Sequence, residues 1–246
     1  MKTYKEHYKE CQRNYESDVS IYDLKYKRDC VAFDIDNFTN LRKKVKFKLD
    51  YRIGCHDTKW AVYLDDWREI KEIENFMKEV VPQIEKNIMG CFAKVEFVHI
   101  YETKKTASEE ASWIWHYDDC PPEFIKFAIY LSDVYDNNGP MEIIPEVIES
   151  YRTNPESIKG HPPPVFPKSR VPREYLKGKE KITLKGKAGT NFVFTPNIIH
   201  RGTVPTALTR VAMFLFIRPS LAKIDNYCDV SSSYLPMKNV KRYELD

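Results

Sequence analysis

The chain has 246 residues, of which 42% are hydrophobic and 30% are charged, a composition typical of a globular protein with a substantial buried core. Its 39 basic and 36 acidic side chains leave a formal net charge of +3, which gives no reason to expect a nucleic-acid partner. No apolar stretch approaches the ~20 residues that cross a bilayer, and residues 1–8 lack the hydrophobic core of a secretory signal, so we expect no membrane partner.

The cysteines are scattered and form no C-x-x-C pair, which argues against a zinc knuckle. We expect reduced thiols in a cytoplasmic protein. The six residues are Cys11, Cys30, Cys55, Cys91, Cys120 and Cys228.

Residues 1–91 have a mixed pattern and predict N-terminal α/β support elements. Apolar and charged residues alternate over Lys43–Tyr51, which predicts a half-buried strand. Further along, the Asp65–Asp66 pair is the predicted cap of an amphipathic helix whose apolar residues recur every three or four positions as far as Ile84, and Gly90 is its predicted stop.

From about residue 92 the sequence has the pattern of short strands separated by turns. About eight strands predict a mainly β fold with flanking helices, a jelly roll, within a single domain over 1–246. A Pro-rich insertion at 151–179 is equally compatible with a lid and with a solvated ornament, and 221–246 form a C-terminal extension. The predicted strands are Ala93–Tyr101, Ala111–Tyr117, Phe124–Leu131, Met141–Ile144, Lys181–Leu184, Thr190–Phe194, Ile198–Gly202 and Val211–Ile217.

His116 and Asp118 carry the clearest chemical signal in this β region. In an extended segment, side chains at i and i+2 leave the same face, so both can reach one metal ion. An H-x-D pair often occurs by chance, and two ligands are too few to hold iron. His200 can supply a second imidazole, and two neutral imidazoles with one carboxylate form the facial triad of non-haem Fe(II) oxygenases.

Residues 92–220 resemble the Fe(II)/2-oxoglutarate-dependent dioxygenases, and most closely the branch around phytanoyl-CoA dioxygenase. The resemblance implies a double-stranded β-helix (a cupin-like jelly roll) with His116, Asp118 and His200 as metal ligands. It also implies that Arg210 pairs with the far carboxylate of 2-oxoglutarate, a bidentate contact suited to a guanidinium. The matching segments are H-Y-D at 116–118, N-G-P-M-E-I-I-P at 138–145, G-T-N-F-V-F at 189–194 and N-I-I-H-R-G at 197–202.

Further site residues follow from the same resemblance. Tyr130 and Tyr101 occupy positions where prolyl hydroxylases place phenols that hydrogen-bond the co-substrate. Lys126 lies on the same predicted strand as Tyr130 and on the same face of it, so it is a further candidate for a co-substrate contact. Arg201 and Trp113 flank the ligands and are the predicted substrate contacts, although Arg201 could equally face solvent.

The resemblance implies Fe(II), 2-oxoglutarate and O₂ as cofactors, and hydroxylation of an unactivated C–H bond of a small molecule with release of succinate and CO₂. It requires no catalytic residue beyond the metal ligands. Related halogenases lack the carboxylate ligand, so Asp118 favours hydroxylation, while desaturation, epoxidation and ring closure stay open.

Two alternative functions stand beside this prediction. One is a prolyl-hydroxylase-like enzyme acting on a protein or peptide side chain, and the other is a cupin-like non-oxygenase, which has no need of Arg210. The sequence predicts neither the substrate nor the oligomeric state.

Overall fold

Three helices lie in the N-terminal part of the computed structural model, which describes residues 3–105, 111–148, 166 and 169–227. The first helix begins with a capping box between Thr3 and Glu6, and the second begins at Asp34, whose carboxylate accepts two backbone N–H groups of the first turn. The helices are α1 (Tyr4–Arg13), α2 (Ile35–Asp50) and α3 (Lys71–Ile84).

The strand predicted over Lys43–Tyr51 is wrong, because these residues lie almost entirely in α2. Val45 and Leu49 fit both an alternating pattern and a helical spacing of four. The deciding residues lie upstream, where Phe38 and Leu41 extend a buried stripe at spacings of three and four. The other apolar positions of the predicted strand, including Phe47, are largely exposed on the far side of the helix.

The predicted helix ending at Ile84 is confirmed as α3, but its predicted cap at Asp65–Asp66 is wrong. The helix begins at Lys71 with Ile70 at the N-cap position, and Asp66 precedes a separate 3₁₀ turn at Trp67–Glu69 without capping it through its side chain. A π-helical turn over Glu85–Met89 extends it to Gly90, which ends the helix in the left-handed conformation with φ +63°. A Cβ at Gly90 would lie 2.3 Å from the Val19 carbonyl oxygen, so only glycine fits there without a shift of the backbone.

The strands form two facing antiparallel sheets, which confirms the mainly β jelly-roll prediction. The large sheet has seven strands in the order β1-β8-β5-β10-β4-β3-β2, and the small sheet has the order β7-β6-β9. The strands are β1 (Tyr26–Arg28), β2 (Cys55–Asp57), β3 (Ala61–Leu64), β4 (Phe92–Thr103), β5 (Ile125–Tyr130), β6 (Met141–Val147), β7 (Ile182–Leu184), β8 (Asn191–Phe194), β9 (Ile198–Gly202) and β10 (Val211–Ser220).

Seven of the predicted strands are confirmed, and one is wrong. Ala111–Tyr117 contains a 3₁₀ turn at Ala111–Trp113, followed by single bridges from His116 to Arg170 and to His200. The segment passes the edge of the small sheet for one residue only, too briefly for a strand. β1, β2 and β3 were not predicted, because three or four residues carry too little periodicity.

Some predicted segments lie outside the described residues. Within the Pro-rich insertion these are 151–165 and 167–168, and within the C-terminal extension they are 228–246. The predicted lid or ornament therefore stays a prediction, as does the division of the chain into support, core and extension. Within the described ranges, no helix combines the length and the apolarity that crossing a bilayer requires.

The two faces of the large sheet have different partners. Phe127 of β5 and Leu215 of β10 point outward and join a core cluster with the helices, including Phe76 and Met77 of α3. The alternate residues, such as Ala128, point inward and pack against the small sheet. The space between the sheets is therefore the place where inward-facing polar side chains can meet.

Candidate metal centre

His116, Asp118 and His200 converge between the two sheets. One potential ligand atom from each lies within 4.8 Å of the others. His200 lies on β9, and His116 is bound to it directly through two backbone hydrogen bonds, His116 N to His200 O at 3.0 Å and the reverse bond at 2.8 Å. Asp118 is fixed two residues on, where its N–H donates to the Pro196 carbonyl at 3.0 Å.

The hydrogen bonds of the two histidine rings determine which nitrogen faces the centre. Nδ1 of His116 lies 2.8 Å from the Ile114 carbonyl, and Nδ1 of His200 lies 2.8 Å from the Ile198 carbonyl. A carbonyl only accepts, so each Nδ1 carries the proton and each Nε2 keeps a lone pair. Burial is the main cause that lowers the pKa of both rings, for His116 to well below its usual value, with a further contribution from His200. Both rings are therefore neutral near pH 7.

Asp118 supplies the negative charge of the centre. Burial by itself would raise the pKa of its carboxyl, but Lys126 together with His200 and His116 lowers that pKa to about 2. Lys126 Nζ lies 2.6 Å from Asp118 Oδ2, and His200 Nε2 lies 3.6 Å from the same oxygen. Lys126, predicted as a co-substrate contact, is thus placed beside a candidate ligand.

These donors suit a divalent transition metal. Two imidazole lone pairs and one ionised carboxylate, gathered on one side of the interior, match the donor types and the open geometry of a facial triad. Metal–ligand bonds of about 2.0–2.2 Å can join atoms at this separation with small side-chain rotations, since all three donors already lie within 4.8 Å of one another.

Arg210 is a buried cation without a carboxylate partner among the described residues. Its side chain is 2% exposed, Nη1 donates to the Gly139 carbonyl at 2.6 Å, and Nε has no hydrogen-bond partner. A Cβ on Gly202 would lie 3.3 Å from Arg210 Nη2 and 3.3 Å from Trp113 Cδ1, so glycine makes room for both side chains there. An uncompensated buried charge is costly, and this arrangement therefore points to an anionic ligand.

The two predicted tyrosines have different surroundings. The Tyr101 hydroxyl accepts a long hydrogen bond of 3.4 Å from Arg210 Nη2 and keeps its own proton for another acceptor. The Tyr130 hydroxyl donates to the Leu184 carbonyl at 2.8 Å and accepts from Met141 N at 3.2 Å. Tyr130 therefore ties the large sheet to β6 and β7, and its single proton is already used, which argues against its predicted contact with a carboxylate.

Arg201 faces away from the metal centre. Successive residues of β9 point to opposite faces, so His200 points inward and Arg201 outward. Its Nε donates to Glu142 Oε2 at 2.8 Å, and its guanidinium carbon lies 4.8 Å from the centre of the Trp115 ring. The structure does not support Arg201 as a substrate contact at the metal.

An inward-facing aromatic row was missed by the sequence reasoning. Lys126 pairs across the large sheet with Phe194 on one side and Phe216 on the other, and Phe216 pairs with Phe97. His99 lies one inward position along β4, with its ring 4.8 Å from that of Phe97. Phe97 and His99 point to the same side of β4 as Tyr101. Phe194 and Phe216 are cross-strand neighbours of Lys126, and that relation can be recognised only once the strand pairing is known.

The jelly roll and the two-histidine, one-carboxylate cluster together define the class: a double-stranded β-helix protein with a candidate mononuclear metal centre. The sequence model of the phytanoyl-CoA dioxygenase family, PhyH, matches residues 39–204. The chain belongs to this family. The matched range includes all three candidate ligands.

Individual relatives agree with this assignment. L-proline trans-4-hydroxylase from Streptomyces griseoviridis is 33% identical over 142 residues, which span 48% of this chain and 53%, about half, of the relative. Among solved structures, the epimerase SnoN in complex with Fe³⁺, α-ketoglutarate and nogalamycin RO has a TM-score of 0.59 at 12% identity, covering 89% of this chain and 87% of that one. EctD from S. alaskensis with 2-oxoglutarate and 5-hydroxyectoine has a TM-score of 0.55 at 16% identity, covering 80% and 72%. At these identities the two structures show a shared fold.

Proposed function

We propose that this protein is a non-haem Fe(II)/2-oxoglutarate-dependent dioxygenase that hydroxylates an unactivated C–H bond of a small molecule and releases succinate and CO₂. One observation carries the proposal: a buried cluster of two neutral imidazoles and one carboxylate lies in the same interior as a buried guanidinium without a carboxylate partner among the described residues. The first part suits Fe(II), and the second suits a dicarboxylate co-substrate.

His116, Asp118 and His200 would hold the iron through two Nε2 atoms and one carboxylate oxygen. With iron bound, O₂ would be the oxidant, and 2-oxoglutarate would be the co-substrate that is oxidised to succinate and CO₂ while one oxygen atom goes to the C–H bond of the substrate. The protein keeps both rings neutral through burial and fixes each Nδ1 proton on a backbone carbonyl, so both lone pairs are ready before an ion arrives. No protein nucleophile or general base is assigned.

Arg210 and Tyr101 would bind the far carboxylate of 2-oxoglutarate. The Gly139 carbonyl holds Nη1 in place, which leaves Nε and the remaining guanidinium hydrogens for the ligand. Tyr101 can donate its hydroxyl proton to the same carboxylate while it accepts from Arg210. Lys126 would pair with Asp118, and so compete with the metal for that carboxylate, rather than contact the co-substrate.

A small-molecule substrate is supported by the similarity to L-proline trans-4-hydroxylase. Asp118 occupies the ligand position that a halogenase leaves for halide, which favours hydroxylation over halogenation. We place the protein in the cytoplasm, and five free thiols among the described residues support that placement.

The direct test is succinate formation from 2-oxoglutarate, with and without added Fe(II), in the wild type and in His116→Ala and Asp118→Ala. We expect iron-dependent turnover in the wild type and none above background in either variant. His56→Ala is the matched control, because His56 is a half-exposed histidine paired with Asp65, and it should keep full turnover. Undiminished turnover in both ligand variants would refute the proposal. A screen of metabolite pools for substrate-stimulated succinate release then addresses the substrate.

A further inference from the structure

A buried asparagine, Asn197, links the segment that carries Asp118 to the turn that precedes β9. Asn197 is 1% exposed. Its side-chain Oδ1 accepts the Cys120 N–H at 2.9 Å, and its Nδ2 donates to the Cys120 carbonyl at 2.7 Å. Cys120 is itself 2% exposed and follows Asp118 by two residues. Both polar groups of the Cys120 backbone are therefore satisfied by one side chain in the interior of the protein.

The course of the chain before β9 explains why a side chain is needed there. Two backbone hydrogen bonds pair His116 with His200. In a regular antiparallel ladder the next such pair would be Asp118 with Ile198. Ile198 N donates instead to the Thr195 carbonyl at 3.0 Å, so the chain turns away before that pair can form. The backbone ladder that positions the two histidines therefore does not extend to the candidate carboxylate ligand.

The Asn197 amide takes the place of the interrupted ladder. A primary amide has a donor and an acceptor, as a peptide group has, so it can form the paired hydrogen bonds that a neighbouring strand would form. The N–H of Asp118 is bound to the Pro196 carbonyl, and the Asn197 amide binds Cys120 two residues on. Asp119, between these two anchors, has φ +52° and reverses the direction of the chain. The 118–120 segment is thus held at both of its ends.

Asp118 needs this support because a cation attracts its carboxylate from one side. Lys126 Nζ lies 2.6 Å from Asp118 Oδ2, whereas His200 Nε2 lies 3.6 Å from the same oxygen. The two histidines are positioned by bonds to each other, whereas Asp118 is positioned by contacts with the turn before β9. Loss of the Asn197 amide would leave two buried backbone groups without that partner and would loosen the segment that carries the carboxylate.

We propose that Asn197 is a positioning residue of the metal centre, which sets the distance between the Asp118 carboxylate and the two imidazoles. It acts through the backbone of Cys120, and the inference rests on the proposed function in taking Asp118 as a metal ligand. Replacing a group that orients a metal ligand typically changes metal affinity about 10- to 100-fold. We expect Asn197→Ala to weaken metal binding by that factor, in addition to any effect on folding.

The test measures the Co(II) affinity and the visible Co(II) spectrum of the full chain, without 2-oxoglutarate and without turnover. Asn197→Ala should bind Co(II) roughly 10- to 100-fold more weakly, with an altered spectrum because the carboxylate is displaced. Asn197→Ser should have an affinity between this variant and the wild type, because its hydroxyl can satisfy one of the two Cys120 groups. Urea unfolding of the metal-free protein measures the loss of stability in each variant.

Asn191→Ala is the matched control for a purely structural effect. Asn191 is 3% exposed, and its amide binds the backbone in the same manner. Its Oδ1 accepts the Cys30 N–H at 3.0 Å, and its Nδ2 donates to the Val31 carbonyl at 3.1 Å. These bonds tie β8 to the segment that follows β1, which carries none of the three candidate ligands. The control should lose stability as Asn197→Ala does, but keep the Co(II) affinity and spectrum of the wild type.

The outcomes distinguish the positioning role from the proposed function. Weaker Co(II) binding in Asn197→Ala, but not in Asn191→Ala, supports the positioning role. Equal affinity of wild type and Asn197→Ala, or an equal loss in both alanine variants, would overturn that role and leave the metal centre itself intact. Absence of Co(II) binding in the wild type would overturn both proposals. If Asn197→Ala does not fold, Asn197→Ser decides: an unchanged affinity overturns the role, and weaker binding with an altered spectrum supports it.

Discussion

Replacing Arg210 by glutamine should remove most of the affinity for 2-oxoglutarate while leaving the metal ligands in place. In the wild type the guanidinium is 2% exposed and has Nε unpartnered, so a bound carboxylate would supply its missing counter-charge. Glutamine retains a hydrogen-bond donor for the Gly139 carbonyl but carries no charge. The co-substrate carboxylate would then be buried without a cationic partner.

The expected loss follows from that burial. Removing one partner of a buried ion pair costs about 3–5 kcal/mol, and each 1.4 kcal/mol corresponds to about tenfold in Kd. We therefore expect the Kd for 2-oxoglutarate to rise by roughly two to three and a half orders of magnitude. If Arg210 formed only an exposed ion pair with the co-substrate, its loss would cost at most about 1 kcal/mol, and Kd would rise roughly fivefold.

Thermal unfolding provides a second, independent measurement. At a 2-oxoglutarate concentration of about 100 times the wild-type Kd, binding should add about 2.7 kcal/mol of stability. For a chain of this length that corresponds to a rise in Tm of roughly 5–10 °C, which the variant should lose.

Anaerobic calorimetry on metal-loaded protein gives Kd directly, and metal affinity measured without 2-oxoglutarate should be unchanged. Arg28→Gln serves as the control, because Arg28 is exposed and already bound to Asp29 and to the Lys185 carbonyl. A change in Kd below about fivefold for Arg210→Gln, with the fold intact, would refute the assignment of Arg210 to the co-substrate.

Three other predictions concern the centre and the scaffold. Lys126→Met should bind metal roughly tenfold more tightly, by about 1.4 kcal/mol, because Lys126 competes for Asp118 and repels the ion; equal or weaker binding in metal titrations would contradict this. Burial raises the pKa of Glu85, so its protonated form favours folding and stability is lost as pH rises from 4.5 through the folded pKa. Glu85→Gln should thus gain stability over the wild type at pH 7 but not at pH 4 in urea titrations. Gly90→Ala should lower the free energy of unfolding by more than about 1–2 kcal/mol, since the left-handed φ and the contact with the Val19 carbonyl both oppose a Cβ.

The residues at the centre were accessible from the sequence because short-range geometry decides most of their arrangement. His116 and Asp118 lie on one side of any extended segment, with or without a regular strand. The contact between Lys126 and Asp118 was harder to predict, because it depends on where β5 lies relative to the 116–118 segment. No local sequence pattern encodes that placement. The outward orientation of Arg201 could have been predicted from the sequence. Side chains alternate along a strand, so the residue next to an inward-facing ligand must face outward.

The N-terminal region shows a second limit. Over Lys43–Tyr51 the alternating pattern and the helical pattern share Val45 and Leu49, so a short window cannot distinguish them. Extending the window upstream to Phe38 would have favoured the helix. The short strands β1 to β3 are stabilised by pairing with neighbouring strands, as β1 is by β8. Such tertiary stabilisation produces no recognisable periodicity in a sequence of three or four residues.

The direct backbone pairing of His116 with His200 has a consequence for how the centre would take up an ion. The two imidazoles are carried by main-chain atoms that hydrogen-bond each other, and their ring centroids lie 4.3 Å apart. Their separation is thus fixed by the sheet itself, and the entropy of gathering them is spent when the chain folds. We therefore expect the two imidazoles to keep their separation with or without an ion, so that binding of the proposed iron would need no refolding of the scaffold.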